Sequence, residues 1–198
     1  MGQTLAVSET RYAWEVIPPF ADNVSEDLVI LPWLHELRMF RGSLLYGEAS
    51  LPSSEYFHST PDDPDPFDGI CYHIIARIAG RIAGCIRISG ALEESELRAY
   101  FLRLGLESYE GWRPHFSGRI GVSGRLITAP EYRSLGLANR FIAASYVLTR
   151  MLDLSHVLAI VGTAYGSDRI LIRTGAKSVP GVGTFATRTF RIRSGSCP

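Results

Sequence analysis

The chain has 198 residues, 46% of them apolar and 20% charged, enough for one domain with a real core and incompatible with a largely disordered chain. Basic and acidic residues number 20 each, so the formal net charge is zero, which argues against a strongly basic nucleic-acid binder. The zero conceals a split: residues 1–70 hold 12 acidic against 3 basic residues and residues 71–198 hold 8 against 17, which marks either a site for a charged partner or attraction between the two halves.

In chain order, Tyr12 to Ile17 is a predicted first strand, ended by Pro18-Pro19. Ser25 is a good N-cap for a helical region running to about Tyr46, which Pro32 should break in two. Leu34, Leu37, Arg38, Arg41 and Leu45 then share one broad face. Residues 50–69 are rich in Pro, Ser and Asp and predict a long loop, functional or mobile. Residues 70–90 carry the clearest hairpin pattern. Ile70, Tyr72, Ile74, Ala76 and Ile78 alternate along one arm, and Ile82, Gly84, Ile86 and Ile88 along the other. A three-residue loop, Ala79-Gly80-Arg81, puts both isoleucine rows on one side, with Ile74 opposite Ile86 and His73 opposite Arg87.

Glu93 to Leu104 predicts a helix with Leu92, Leu97, Phe101, Leu102 and Leu104 clustered. Arg119 to Thr128 predicts a strand, and Leu135 to Leu152 a strong helix whose apolar stripe is Leu137, Phe141, Ala144, Leu148 and Met151. Val157 to Thr163 is a continuous apolar run, hence a buried strand. Ser167 caps a short helix that Gly175 stops, and Thr184 to Arg193 forms a final strand. The order implies an α/β (or α+β) layout with a mixed, mostly antiparallel sheet, in a single domain over residues 1–198.

Three scattered cysteines, Cys71, Cys85 and Cys197, give neither a disulfide framework nor a zinc site. The five histidines lack metal-ligand spacing, so no metal is expected. The first ten residues lack the regions of a signal peptide, and no apolar run approaches the roughly 18 residues of a membrane span. A cytoplasmic protein is the expectation, with no nucleic-acid partner, because the basic residues are not interleaved with aromatics.

The informative segment is the strand-to-helix junction. Arg133-Ser134-Leu135-Gly136-Leu137-Ala138 opens the long helix just after the strand residues Leu126, Ile127 and Thr128. A helix start with small residues and a nearby cation presents unpaired N–H groups and a positive dipole end to an anion such as a pyrophosphate. Neither a GxGxxG fingerprint nor a Walker loop is present.

At this junction the sequence resembles GNAT-type N-acyltransferases, whose acyl-CoA signature is R-x-x-G-x-G/A between a strand and a helix. Residues 169–181 resemble the closing helix and turn of that family. The likeness extends to the branch of acyl-homoserine lactone synthases and long-chain N-acyl amino acid synthases. Asp65-Pro66-Phe67-Asp68 fits its "D-x-F-D", Gly84-Cys85-Ile86-Arg87-Ile88 its "G-x-I-R-I/L", Leu37-Arg38 its "L-R", and Arg125-Leu126 part of its "S-R-L". The resemblance implies a GNAT-like sheet flanked by helices, and an ionic cluster of Asp65, Asp68, Arg87 and Arg125 on the acceptor side. It implies donor contacts from Leu126, Ile127, Thr128 and Arg133 to Ala138.

Two positions depart from the pattern. Leu171 stands where the superfamily carries an acidic tyrosine, and Val122 where the synthase branch carries a glutamate. The implied reaction is attack of an amine on a thioester, with strand N–H groups polarising the carbonyl and His73, Glu131 or Glu48 as base. The donor would be acyl-CoA or an acyl-phosphopantetheine carrier protein, with no tightly bound cofactor. The acceptor would be an amine such as an amino acid or a peptide side chain. The alternatives are an acetyl-CoA-dependent acetyltransferase of a small amine, or an acyl-CoA-binding module without catalysis. The Arg-rich region 169–193 is either a solvated face or a docking site for an acidic carrier protein.

Overall fold

Strand alternation along residues 70–90 builds the centre of the protein. The computed structural model describes residues 12–20, 32–46, 65–103, 113–160, 167–178 and 187–191. The strands are β1 (Tyr12–Ile17), β2 (Cys71–Ile78), β3 (Arg81–Ser89), β4 (Ile120–Thr128), β5 (His156–Ile160), β6 (Lys177–Ser178) and β7 (Thr187–Arg191). The helices are α1 (Pro32–Tyr46), α2 (Glu94–Arg103), α3 (Leu137–Met151) and α4 (Ser167–Arg173). One seven-stranded sheet runs in the order β1-β2-β3-β4-β5-β7-β6. Its pairings are antiparallel except β4 with β5, which is parallel. The mixed, mostly antiparallel sheet is therefore as expected; β6 is an addition.

The β2–β3 hairpin departs from expectation at its tip and agrees at its centre. Ile78 pairs with Arg81, so the turn holds two residues, Ala79 and Gly80, both at positive φ (50° and 79°). A bulge then shifts the register, because Arg77 pairs with Ile82 while Ala76 pairs with Gly84. Two turn residues plus one bulged residue equal the three-residue loop in length. Ile74 therefore still faces Ile86, and His73 still faces Arg87. The bulge turns Ile82 to the other face, where it packs with Leu37, Ile75 and Cys85.

Even-numbered β2 residues face α3. Ile74, Ala76, Ile86 and Ile88 pack there with Leu137, Phe141 and Leu148. Gly84 is needed in this layer, since a Cβ on it would lie 2.7 Å from the Phe141 ring and 2.8 Å from the Ile127 carbonyl oxygen. The Phe141 ring crosses this gap and meets Trp14 of β1 edge to face at 5.1 Å. Met151 is 77% exposed and does not extend the stripe. The buried face turns instead towards Ile142 and Thr149 as the 3.6-residue period drifts. Leu102 of α2 is likewise exposed, while Leu97 and Phe101 are buried.

The opposite face carries α1 and α2. Pro32 is the first residue of α1, a position where its missing N–H costs nothing. Leu34, Leu37, Arg38 and Arg41 are all buried, as their shared face required. Helix α3 starts at Leu137, two residues later than expected, because Pro130–Leu135 form a 3-10 turn. Gly175 stops α4 at φ 91°. Loop residues 50–64, helix residues 25–31 and strand residues 161–163, 184–186 and 192–193 lie outside the described residues.

Candidate active site

The Asp65-Pro66-Phe67-Asp68 segment folds as one 3-10 turn. Asp65 caps it, with Oδ1 accepting the Phe67 N–H at 3.0 Å. Pro66 takes the first helical position, and Phe67 drops into the core against the Tyr100 ring, 4.8 Å away. The turn delivers both carboxylates to the α1 side of β3 and β4. Arg87 Nη1 donates to Asp65 Oδ2 at 2.9 Å and to Asp68 Oδ1 at 2.7 Å. Arg125 Nη2 donates to Asp65 Oδ2 at 3.2 Å. The four residues implied by the resemblance are thus brought together.

Arg38 and Arg41 complete the cluster, and the sequence reading did not assign them to it. Arg38 Nε donates to Asp68 Oδ2 at 3.1 Å, and Arg41 Nη1 to Asp68 Oδ1 at 2.8 Å. Their signal was present as two arginines, three apart, on the apolar face of Leu34 and Leu37. Cations on a buried face require buried carboxylates. Asp68 is fully buried, and burial alone would raise its pKa, yet the Arg41 and Arg87 guanidiniums hold it far below the usual carboxylate range. Asp65 is lowered in the same way, burial being outweighed by Arg87 and Arg125. Burial and the adjacent Arg87 charge lower the Arg125 pKa, an effect that Asp65 opposes.

His73 is fully buried beneath Phe20 and Trp33, whose rings lie 6.4 and 5.4 Å from its own. Its Nδ1 accepts from Arg41 Nη2 at 3.1 Å, so Nε2 carries the hydrogen and donates to the Asp68 carbonyl at 2.8 Å. Burial and then Arg41 lower its pKa to about 4. With both nitrogens engaged away from solvent, His73 is a structural member of the cluster and not an available base. Glu131 is exposed in the 3-10 turn before the α3 loop, and Glu48 lies outside the described residues.

Strand β4 bends where the chemistry would lie. Arg87 pairs with Gly124 and Cys85 with Ile127, so two residues, Arg125 and Leu126, oppose Ile86 alone. Arg125 takes φ 58°, a left-handed conformation costing a non-glycine residue about 1 kcal/mol. The Arg125–Asp65 bond and the Cys85 thiol, which donates to the Arg125 carbonyl at 3.5 Å, hold it there. On its other edge β4 pairs with β5 only from Ile120 to Ser123. Among the described residues this pairing ends at Ser123, just before the bulge.

The strand leads to the anion-binding candidate. Arg133, Ser134, Leu135 and Gly136 are exposed, Leu137 is buried and Ala138 half-buried. Gly136 adopts φ 69° and joins the 3-10 turn to α3, and a Cβ built on it would meet nothing within 4 Å, so the start of the helix is open at this point. Arg133 lies back on the strand end, with Nε 3.4 Å from the Thr128 carbonyl. Leu126, Ile127 and Thr128 are half-buried, Ile127 on the α1 face and Leu126 on the α3 face. Leu171 is 4% exposed in an apolar cluster with Ile142 and Leu154, and Val122 is buried beside Phe101 and Leu158. Neither departure from the family pattern is repaired locally. Among the described residues no cluster of His, Cys, Asp and Glu could hold a metal, and no helix is long and apolar enough to cross a membrane.

Residues 46–142 match the family model described as an acetyltransferase (GNAT) domain. No protein of curated function matches the sequence. Among solved structures, the chain is similar to a CoA-dependent acyl-homoserine lactone synthase, BjaI, in complex with isopentyl-CoA and SAM. The TM-score is 0.63 at 16% identity, over 93% of this chain and 85% of the other. It is similar to an acyl-CoA N-acyltransferase from Pseudomonas aeruginosa, with TM-score 0.55 at 16% identity over 90% and 97%. It is also similar to a GNAT family acetyltransferase from Brucella melitensis in complex with acetyl-CoA, with TM-score 0.54 at 10% identity over 91% and 88%.

Proposed function

For a chain that carries a GNAT acyltransferase domain, we propose a specific reaction: transfer of a long-chain acyl group from acyl-CoA, or from an acyl carrier protein, to the amine of an amino acid or peptide side chain. The observation that carries this reading is the joined geometry of β4 and α3. A strand bulged at Arg125 and Leu126 runs through a 3-10 turn into an exposed helix start at Gly136.

In this reading, the amides of Leu137 and Ala138 and the Arg133 guanidinium bind the donor's phosphates. The thioester lies along Leu126 to Thr128, with its carbonyl beside the β4 bulge. Asp65, Asp68, Arg87 and Arg125 fix the strand on the acceptor side, so that the amine meets the carbonyl in line. Glu131, directly or through water, takes the ammonium proton. The buried Leu171 favours the synthase branch over short-chain acetyltransferases, because it removes the tyrosine those enzymes most often use. The same absence is what a binding module without catalysis would show.

Thermal-shift titration with CoA, acetyl-CoA, palmitoyl-CoA and acyl carrier protein tests the reading. A donor at about 100 times its Kd adds about 2.7 kcal/mol, or about 5–10 °C in a chain of this size. Arg133→Ala should weaken donor binding about tenfold. No shift with any donor would sink the acyltransferase reading, and equal shifts with acetyl-CoA and palmitoyl-CoA would favour the acetyltransferase. Turnover of palmitoyl-CoA with amino acids, followed by mass spectrometry of the products, separates an enzyme from a binding module.

A further inference from the structure

We infer that Tyr100 is a catalytic hydrogen-bond donor, reaching the reacting carbonyl from the α2 side. The inference rests on the acyltransferase reading and names a residue outside the family pattern. Tyr100 sits on α2 with 7% of its surface exposed. Its ring is held edge to face by Phe67 at 4.8 Å and by Phe101 at 5.2 Å. Among the described residues, no group exchanges a hydrogen bond with its hydroxyl. The hydroxyl oxygen is not one of the buried atoms left without a partner, so it reaches open surface from an otherwise buried, rigidly held ring, an arrangement that calls for a reason.

The direction of the hydroxyl supplies the reason. It lies 3.7 Å from the point a Cβ on Gly124 would occupy. Gly124 pairs with Arg87 and immediately precedes the bulged residues Arg125 and Leu126. The missing side chain leaves open space between the hydroxyl and the strand where the thioester is placed. Burial raises the Tyr100 pKa to about 12, against the opposing pull of the nearby Arg87 and Arg125, so the group stays protonated and acts only as a donor.

The step balances without proton transfer from Tyr100. The amine nitrogen bonds to the thioester carbon, and the carbonyl π electrons move to oxygen. That oxyanion accepts hydrogen bonds from a β4 amide and from the Tyr100 hydroxyl. Its collapse breaks the C–S bond. The thiolate leaves with the electron pair and takes a proton from solvent, and the ammonium proton leaves through the base. The Tyr100 O–H bond stays intact throughout.

Tyr100→Phe tests this, because it removes an oxygen that bonds nothing in the resting protein. The expected result is a Tm equal to or above that of the parent, unchanged KM for acyl-CoA, and kcat reduced about 100-fold, the usual effect of losing one oxyanion donor. Gly124→Ala is a second probe. Its Cβ would make ordinary contact with the hydroxyl at 3.7 Å, so the fold is kept, and kcat should fall as the space closes. A Tyr100→Phe protein with kcat within twofold of the parent overturns the inference. So does one whose loss of rate comes with a lower Tm and a raised KM, since that marks a packing role. A parent protein that turns over no acyl-CoA refutes the acyltransferase reading, a result separate from either.

Discussion

His73 should make the protein lose stability on mild acidification, before the buried carboxylates of Asp65 and Asp68 titrate. In the fold its Nδ1 accepts a hydrogen bond from Arg41, so a proton added there would oppose a guanidinium N–H at 3.1 Å. Burial and Arg41 lower its pKa from 6.5 to about 4. The unfolded chain therefore binds the proton first. Stability from this group is complete above pH 6.5 and declines as pH falls towards 4, with no further loss below. At about 1.4 kcal/mol per pH unit over roughly 2.5 units, the loss is about 3 kcal/mol, or about 6–12 °C in Tm. Urea unfolding at pH 7.5, 6.5, 5.5 and 4.5 measures it. His73→Asn keeps an acceptor for Arg41 and removes the titration, so its stability should fall more gently over the same window, whatever its starting value. Parallel pH profiles for parent and variant would refute the argument.

Asp68→Asn should cost about 3–5 kcal/mol at pH 7, read by urea unfolding, because it strands three buried guanidiniums beside a neutral amide. That cost should shrink at pH 2, since a lowered carboxylate pKa gives stability that is present above about pH 4 and lost on acidification. Gly84→Ala should cost about 1–3 kcal/mol through overlap with the Phe141 ring and the Ile127 carbonyl. It should also quench or shift Trp14 fluorescence, since Phe141 is the ring that Trp14 packs against; an unchanged spectrum and Tm would contradict the packing argument.

Local pattern carried most of this fold. The alternation of Ile74, Ala76, Ile86 and Ile88 fixed the central register even though the turn beside it was misjudged. A bulge is invisible to a period-2 count because it preserves total length. Ile82 was assigned to the wrong face for that reason, and Met151 and Leu102 to the core because a stripe does not say where a helix leaves the sheet. In the site, the strand-to-helix junction was legible from Gly136 and Ala138, and the ion pairs of Asp65, Asp68, Arg87 and Arg125 from the family resemblance. Arg41 and His73 were harder, since their shared partner Asp68 sits in the turn before β2, 27 residues from one and 5 from the other. Tyr100 gave no signal at all. Its spacing from Leu97 and Phe101 is that of any core aromatic, and the direction of its hydroxyl has meaning only once Gly124 lies opposite it.

The ionic cluster also sets an order of events in synthesis. Its bonds join residues 30, 27, 22, 19 and 60 positions apart, so the acidic turn leaves the ribosome well before its last cation. At roughly 5–20 residues per second, Asp65 waits about 3–12 s for Arg125. Over that interval its carboxylate stays hydrated, because dehydrating it with too few guanidiniums in place is opposed by several kcal/mol. The nascent chain is thereby kept from closing its core around an incomplete strand. The acidic turn can therefore be buried with all its cations only after the chain has grown past Arg125, at the bulge of β4.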